Sequence, residues 1–200
     1  AAGLFDAIQG YQYGIQFPSF YLPGDFVPHV RMMETGFQSH ALANQFGMPY
    51  VVIRKPKPID TTTLNYNWQI WNTNAFSLYT SATDRIDRDS ARQAVACVLR
   101  FLTQMGILRY TSHSGYLASV IREEELFNIK TGVSGIYQRY ANPGEEIHQG
   151  QILASVIDPL EGEELARVLS PTDGIIFFAH SAPLVMEGTI VFKIIERLHE

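Results

Sequence analysis

The feature that most restricts what this chain can fold into is a change of period near residue 111. Beyond it, short apolar and β-branched runs recur at even spacing, at 117–121, 125–130, 135–140, 152–157, 165–169, 174–179 and 189–195. Turn signals separate them: Asn142-Pro143-Gly144, Gln149-Gly150, Asp158-Pro159, Pro171-Thr172-Asp173-Gly174 and Glu187-Gly188. Evenly spaced short strands with few helices predict a small barrel or sandwich over 111–200.

Before that point helix and strand alternate. Leu4, Phe5, Ile8 and Tyr11 recur at helical spacing, yet no Ser, Thr, Asp or Asn precedes them as a cap. Two readings follow, a frayed first turn or a piece of a longer protein. Residues 13–17 form a strand candidate stopped by Pro18. A helix is expected from His29, with Val30, Met33, Phe37 and Ala41 on one face, ending at Gly47. Residues 50–53 and 75–79 read as strands, and 55–74, rich in Thr and Asn, as a long ordered loop. A second helix spans 89–105. Its stripe is Ala91, Val95, Val98, Leu102 and Met105, with Asp89 or Ser90 as cap and Gly106 as stop. The chain therefore divides into an α/β part, 1–110, and a β domain, 111–200.

Composition narrows the function. An apolar fraction of 46% with 18% charged residues is that of a globular protein. The net charge is −5 and the main basic run is Arg54-Lys55-Pro56-Lys57, which argues against a nucleic-acid partner. A single cysteine, Cys97, rules out an internal disulfide and disfavours a cysteine-based metal site. No stretch approaches the roughly 18 apolar residues that a membrane span requires, and no signal peptide is visible, so no membrane partner and a cytoplasmic location are expected. The phosphate-cradling, dinucleotide and nucleophile-elbow glycine motifs are absent, and Gly132-Val133-Ser134-Gly135 reads as a turn. None of the histidines, at 29, 40, 113, 148, 180 and 199, begins an H-x-x-E or H-x-x-x-H pair.

Two stretches rise above this background. Residues 144–153, with Pro143 before them and Ser170-Pro171-Thr172-Asp173-Gly174 after, resemble the barrel-sandwich half of biotinyl/lipoyl-type domains. Such carriers need a lysine at a hairpin tip. The corresponding turn here, Asp158 to Glu163, has none, which disfavours a swinging-arm role. Residues 13–31 and 75–87, taken with this β half, resemble the C-terminal portion of the succinylglutamate desuccinylase/aspartoacylase family.

That resemblance implies a partial carboxypeptidase-like α/β/α layer followed by an all-β, barrel-sandwich-hybrid-like domain. It also implies zinc-dependent hydrolysis of an N-acyl amino acid amide bond, with two zinc ligands and a substrate-gripping Asn-Arg supplied by a preceding segment. The partner it implies is a small N-acyl amino acid or related anionic ligand. The family's third zinc ligand is a histidine closing a strand; the similar stretch, Gln16-Phe17-Pro18-Ser19, puts Pro18 there, and proline has no side-chain donor. The family's general base is a glutamate ending a later strand; Tyr79 takes its place, a poor base at neutral pH. This chain alone is thus expected to hold no metal.

The remaining site candidates are polar. Arg31 suits a bidentate grip on a substrate carboxylate, or, on a helical turn, a pair with Glu34. His29 is a substitute ligand or substrate contact. Asp84 stands near the base position, and Asp87 suits a helix cap. Three functions stay open: a hydrolase homologue whose centre is incomplete in this chain, a pseudo-hydrolase that binds a small ligand or a protein, and an interaction role for the β domain. In the last, Phe177, Phe178 and Tyr140 would lie near a homo-oligomer interface.

Overall fold

A computed structural model describes residues 2–20, 22–82, 85–111 and 113–197, without the side chains of Ala2 and Phe5. In chain order the elements open with α1 (Ala2–Ile8), β1 (Tyr13–Gln16), β2 (Gly24–Phe26), β3 (His29–Met33), α2 (His40–Asn44) and β4 (Tyr50–Arg54). A 3-10 turn (Pro58–Thr62) leads to α3 (Leu64–Ile70), β5 (Asn74–Tyr79) and α4 (Arg88–Gln104). Strands then dominate: β6 (Ser119–Arg122), β7 (Leu126–Lys130), β8 (Gly135–Arg139), β9 (Glu146–Ile147) and β10 (Ile152–Ile157). The last are β11 (Glu164–Leu169), β12 (Gly174–His180), β13 (Leu184–Val185) and β14 (Ile190–Glu196). The result is a mixed α/β protein with several sheets and few helices. Among the described residues no helix is long and apolar enough to cross a membrane.

The chain forms two compact units, one of residues 1–18, 28–80 and 87–123, the other of 19–27, 81–86 and 124–200. The expected division near residue 110 had left 119–122 with the β half. These residues instead form β6, which adds to β4 in parallel and closes one edge of the first unit's sheet.

That sheet runs β1-β5-β3-β4-β6. It is parallel except where β3 meets β5, in a register that pairs His29 with Tyr79 and Arg31 with Ser77. Alternation sends neighbouring side chains to opposite faces. Val30, Met32, Val51, Ile53, Phe76 and Leu78 form one face and join Ala43, Phe46, Cys97 and Phe101 in an apolar core. Phe46 stacks on Phe101 with ring centroids 4.3 Å apart.

Three expectations change here. The helix predicted from His29 is the strand β3, whose five residues are all buried; its alternation, His29 to Met32, is only four residues long, and Val30, Met33, Phe37 and Ala41 also fit a helical stripe. The loop predicted over 55–74 contains α3, capped by the Thr63 hydroxyl at the Tyr66 amide. Asparagines make poor helix interiors, so this helix depends on tertiary packing: Asn65, Trp68 and Gln69 are buried. Gly14 makes room for it, since a Cβ there would stand 2.6 Å from the Trp68 ring. The third change concerns α4. Its cap is Asp87, which accepts from the Asp89 amide and from the Ser90 hydroxyl. It ends before Gly106, at φ +71°. The face it buries holds Ser90, Cys97 and Phe101; Val98, Leu102 and Met105 of the predicted stripe also pack against that core, whereas Ala91 and Val95 are exposed.

The second unit has two sheets, β11-β10-β8-β13 and β2-β12-β14-β7, with β9 also on β12. Tyr137, Leu153, Val156 and Val168 from the first sheet join Ile176, Phe192, Ile194 and Ile129 from the second in one core. The hairpin between β10 and β11 turns at 158–163, where the Asp158 carboxylate accepts from the amides of Leu160 and Glu161. Phe177 and Phe178 are buried and unavailable to an interface. Tyr140 is half exposed, with its hydroxyl 2.7 Å from that of Ser155.

Candidate functional site

The face of the first sheet opposite the apolar core is polar. Gln16, the last residue of β1, donates to the Ser77 hydroxyl at 2.7 Å. One register pair along, His29 and Tyr79 stack with centroids 4.9 Å apart and planes within 10°. The Arg31 guanidinium carbon lies 6.0 Å from the centre of the Tyr79 ring. The structure thus brings together three of the sequence-predicted site residues, Arg31, His29 and Tyr79. Asp84 lies outside the described residues, as does His199 among the histidines. Pro18 lies beyond β1, two residues after its last member.

Charge on this face is organised around Glu123. Arg31 donates to it at 2.5 Å, and Arg54 lies 3.5 Å from the same carboxylate oxygen. Arg54 also pairs with Asp60 at 3.1 Å. Arg31 is on a strand, not a helical turn, and the expected pair with Glu34 does not form; Glu34 pairs with Arg122 at 2.7 Å. Burial works against the Arg31 charge, but the Glu123 carboxylate and its hydrogen bond outweigh it and hold the pKa above the ordinary value. Burial pushes the Tyr79 phenol up, only partly offset by Arg31. Tyr79 is therefore a protonated donor at neutral pH and cannot take a proton from water.

Helix α3 packs against β5 and β3. Gln69 clamps the end of β3, accepting from the Met33 amide and donating to the Met33 carbonyl, both at 2.9 Å. Asn65, 2% exposed, has neither amide atom hydrogen-bonded among the described residues, and the buried Trp68 indole N–H likewise meets no partner there. An unmet buried polar group costs about 1–3 kcal/mol, so such groups usually meet water or a ligand. Sequence reasoning missed Asn65, Glu123, Arg54 and Asp60, which carry no local motif. Gln16 was quoted only as a neighbour of Pro18, though its place at a strand end was a usable signal.

The described residues do not by themselves make up the zinc site that the resemblance implies. Zinc takes three or four His, Cys, Asp or Glu ligands, and among the described residues no three such side chains converge. The His29 ring lies flat on Tyr79, and Glu123 is engaged with guanidinium groups.

This architecture, a mixed sheet with a following β unit, is the fold of the succinylglutamate desuccinylase/aspartoacylase structures. A succinylglutamate desuccinylase/aspartoacylase from Rhodobacter sphaeroides matches with a TM-score of 0.75 and 18% identity over 100% of this chain and 63% of its own. The ectoine utilization protein EutE (DoeB) from Ruegeria pomeroyi, in its apo structure, matches with a TM-score of 0.71 and 18% identity, over 92% of this chain and 59% of its own. An aspartoacylase family protein from Mesorhizobium loti gives 0.69 and 12%, over 100% and 62%. The chain thus spans less than two thirds of the length of these proteins. No protein-family model matches the sequence, and no curated protein matches it.

Proposed function

We propose that this chain is the C-terminal portion of a succinylglutamate desuccinylase/aspartoacylase-like protein and binds a small N-acyl amino acid or related anionic ligand without furnishing a hydrolytic centre. The observation that carries this reading is Tyr79. Where the family's glutamate base would stand, a phenol kept protonated by burial is stacked on His29 and lies beside Arg31. Such a group donates a hydrogen bond to a carbonyl or carboxylate but cannot activate water. Asn65 and Trp68 add unmet hydrogen-bonding groups on the helix above the same strands, and Arg31 and Arg54 supply positive charge near them. An arriving carboxylate would share or replace Glu123 at Arg31.

The second unit, in this reading, is a barrel-sandwich-like scaffold with no carrier role, supported by its two sheets around one core and a hairpin without lysine. A cytoplasmic setting accords with the single, buried, unpaired Cys97.

Hydrolysis by the whole protein is the second reading, favoured by the names of its fold neighbours. Elemental mass spectrometry and calorimetric titration with a panel of N-acyl amino acids separate the two. Binding without turnover, with zinc far below one per chain after incubation in excess metal, is the expected result. Near-stoichiometric zinc accompanied by release of the free amino acid would establish hydrolysis instead.

A further inference from the structure

Helix α4 has a second apolar face that is exposed in this chain. Ala91, Val95 and Leu99 follow one another at i, i+4 and i+8 and floor an open groove of about 720 Å³, whose other wall includes Tyr110 and His113. Val95 is 59% exposed and Tyr110 51%. All of these residues belong to the first unit, and the groove shares no residue with the polar face described above.

The charge around the groove opposes that of the chain. Residues 88–113 hold Arg88, Arg92, Arg100 and Arg109 against Asp89 alone, in a protein of net charge −5. Arg92 pairs with that acid at 3.1 Å, largely in solvent. Arg100 donates to the backbone carbonyls of Phe46 and His113, and among the described residues its charge meets no carboxylate. An apolar floor about 12 Å long, at 1.5 Å per helical residue, is lined also by Arg92 and Arg100 and is open to solvent. This shape and charge fit an amphipathic helix presenting apolar anchors between Asp and Glu residues.

We propose that the groove along α4 docks an acidic amphipathic helix of a partner protein, anchored on Val95 and Leu99 and selected by Arg92 and its neighbouring cations. The probe is a fluorescently labelled amphipathic peptide with leucines at helical spacing flanked by glutamates, together with a twin carrying lysines for the glutamates. By fluorescence anisotropy the glutamate peptide binds at least about tenfold more tightly than its twin. Val95→Asp weakens it by a similar factor, and Arg92→Glu reverses the preference between the two peptides. Both sites are exposed, so circular dichroism is expected to match the parent; if Val95→Asp disturbs the fold, Arg92→Glu decides alone. Equal affinity for the two peptides, or binding indifferent to both substitutions, overturns the proposal. Self-association in analytical ultracentrifugation that Val95→Asp abolishes would also overturn it, assigning the groove to a second copy of this chain.

Discussion

The two units distribute their buried polar groups differently. In the first, alternation along β3 and β5 sorts side chains onto two faces: Val30, Met32, Phe76 and Leu78 meet the aromatic core, while His29, Arg31, Ser77 and Tyr79 share the other face under α3. In the second, two sheets enclose an apolar interior, and the buried polar residues, among them Asp25, Thr131, Ser155, Ser170, His180 and Lys193, are scattered over separate strands and turns. The His180 ring meets that of Tyr137 edge-on at 5.6 Å. A fold stabilised by burial alone has no use for the crowded polar face of the first unit. In the proposed reading the gathered polar face of the first unit is the ligand site, and each face can be tested separately.

The apolar face is expected to show the largest effect. Phe101, fully buried and in contact with Phe46, Tyr13 and Phe76, should cost about 3–5 kcal/mol when changed to Ala, read as a lower urea midpoint. A loss below about 1 kcal/mol would mean that this face is not the core of the unit.

On the polar face, Glu123→Gln removes the charge facing Arg31 and Arg54. We expect a loss of about 2–3 kcal/mol, below that of a wholly buried pair because Glu123 retains some water contact. The sharper readout is rescue. Acetate or an N-acyl amino acid should raise the melting temperature of this variant more than that of the parent protein, because an anion can take the vacated place. No difference in rescue would separate Arg31 from ligand binding. Asn65→Leu should do the reverse. Replacing an unpartnered buried amide with an apolar group of similar volume should be neutral or stabilising by up to about 1 kcal/mol, while ligand binding falls.

How much of this was legible beforehand depends on where the determining contact lies. The β strands of the second unit were readable because Gly, Pro, Asn and Asp mark their turns locally. The stop of α4 at Gly106 was readable for the same reason. Strand β3 was not, because its alternation, His29 to Met32, is only four residues long, and Val30, Met33, Phe37 and Ala41 also fit a helical stripe. Helix α3 was hidden by a sequence of low helical propensity that Trp68 and Gln69 hold in place from outside. The stripe of α4 was legible in its C-terminal half, where Val98, Leu102 and Met105 pack on the core, but at the N-terminal half only tertiary packing selects Cys97 over Val95. At the site, the family resemblance led to Tyr79, His29 and Arg31. Glu123, 92 residues from Arg31, had no signal in the sequence, and neither did the unpartnered amide of Asn65.

The smallest effect tests the second unit, where His180 is 3% exposed with neither ring nitrogen hydrogen-bonded. Burial first, and then the Arg139 guanidinium, lower its pKa from 6.5. The sign follows from linkage: above pH 6.5 both folded and unfolded forms hold a neutral ring and stability is complete. As the pH falls below 6.5 the unfolded chain takes up a proton that the folded chain resists, and stability declines until the folded group also titrates. Denaturation of the intact protein should therefore show a midpoint falling between pH 7 and about pH 5.5, and the slope should flatten in His180→Phe. Proton NMR gives the more direct check, since the His180 ring should titrate below the ordinary imidazole value. A titration at that ordinary value would mean that the ring meets water and is not part of a dry interior.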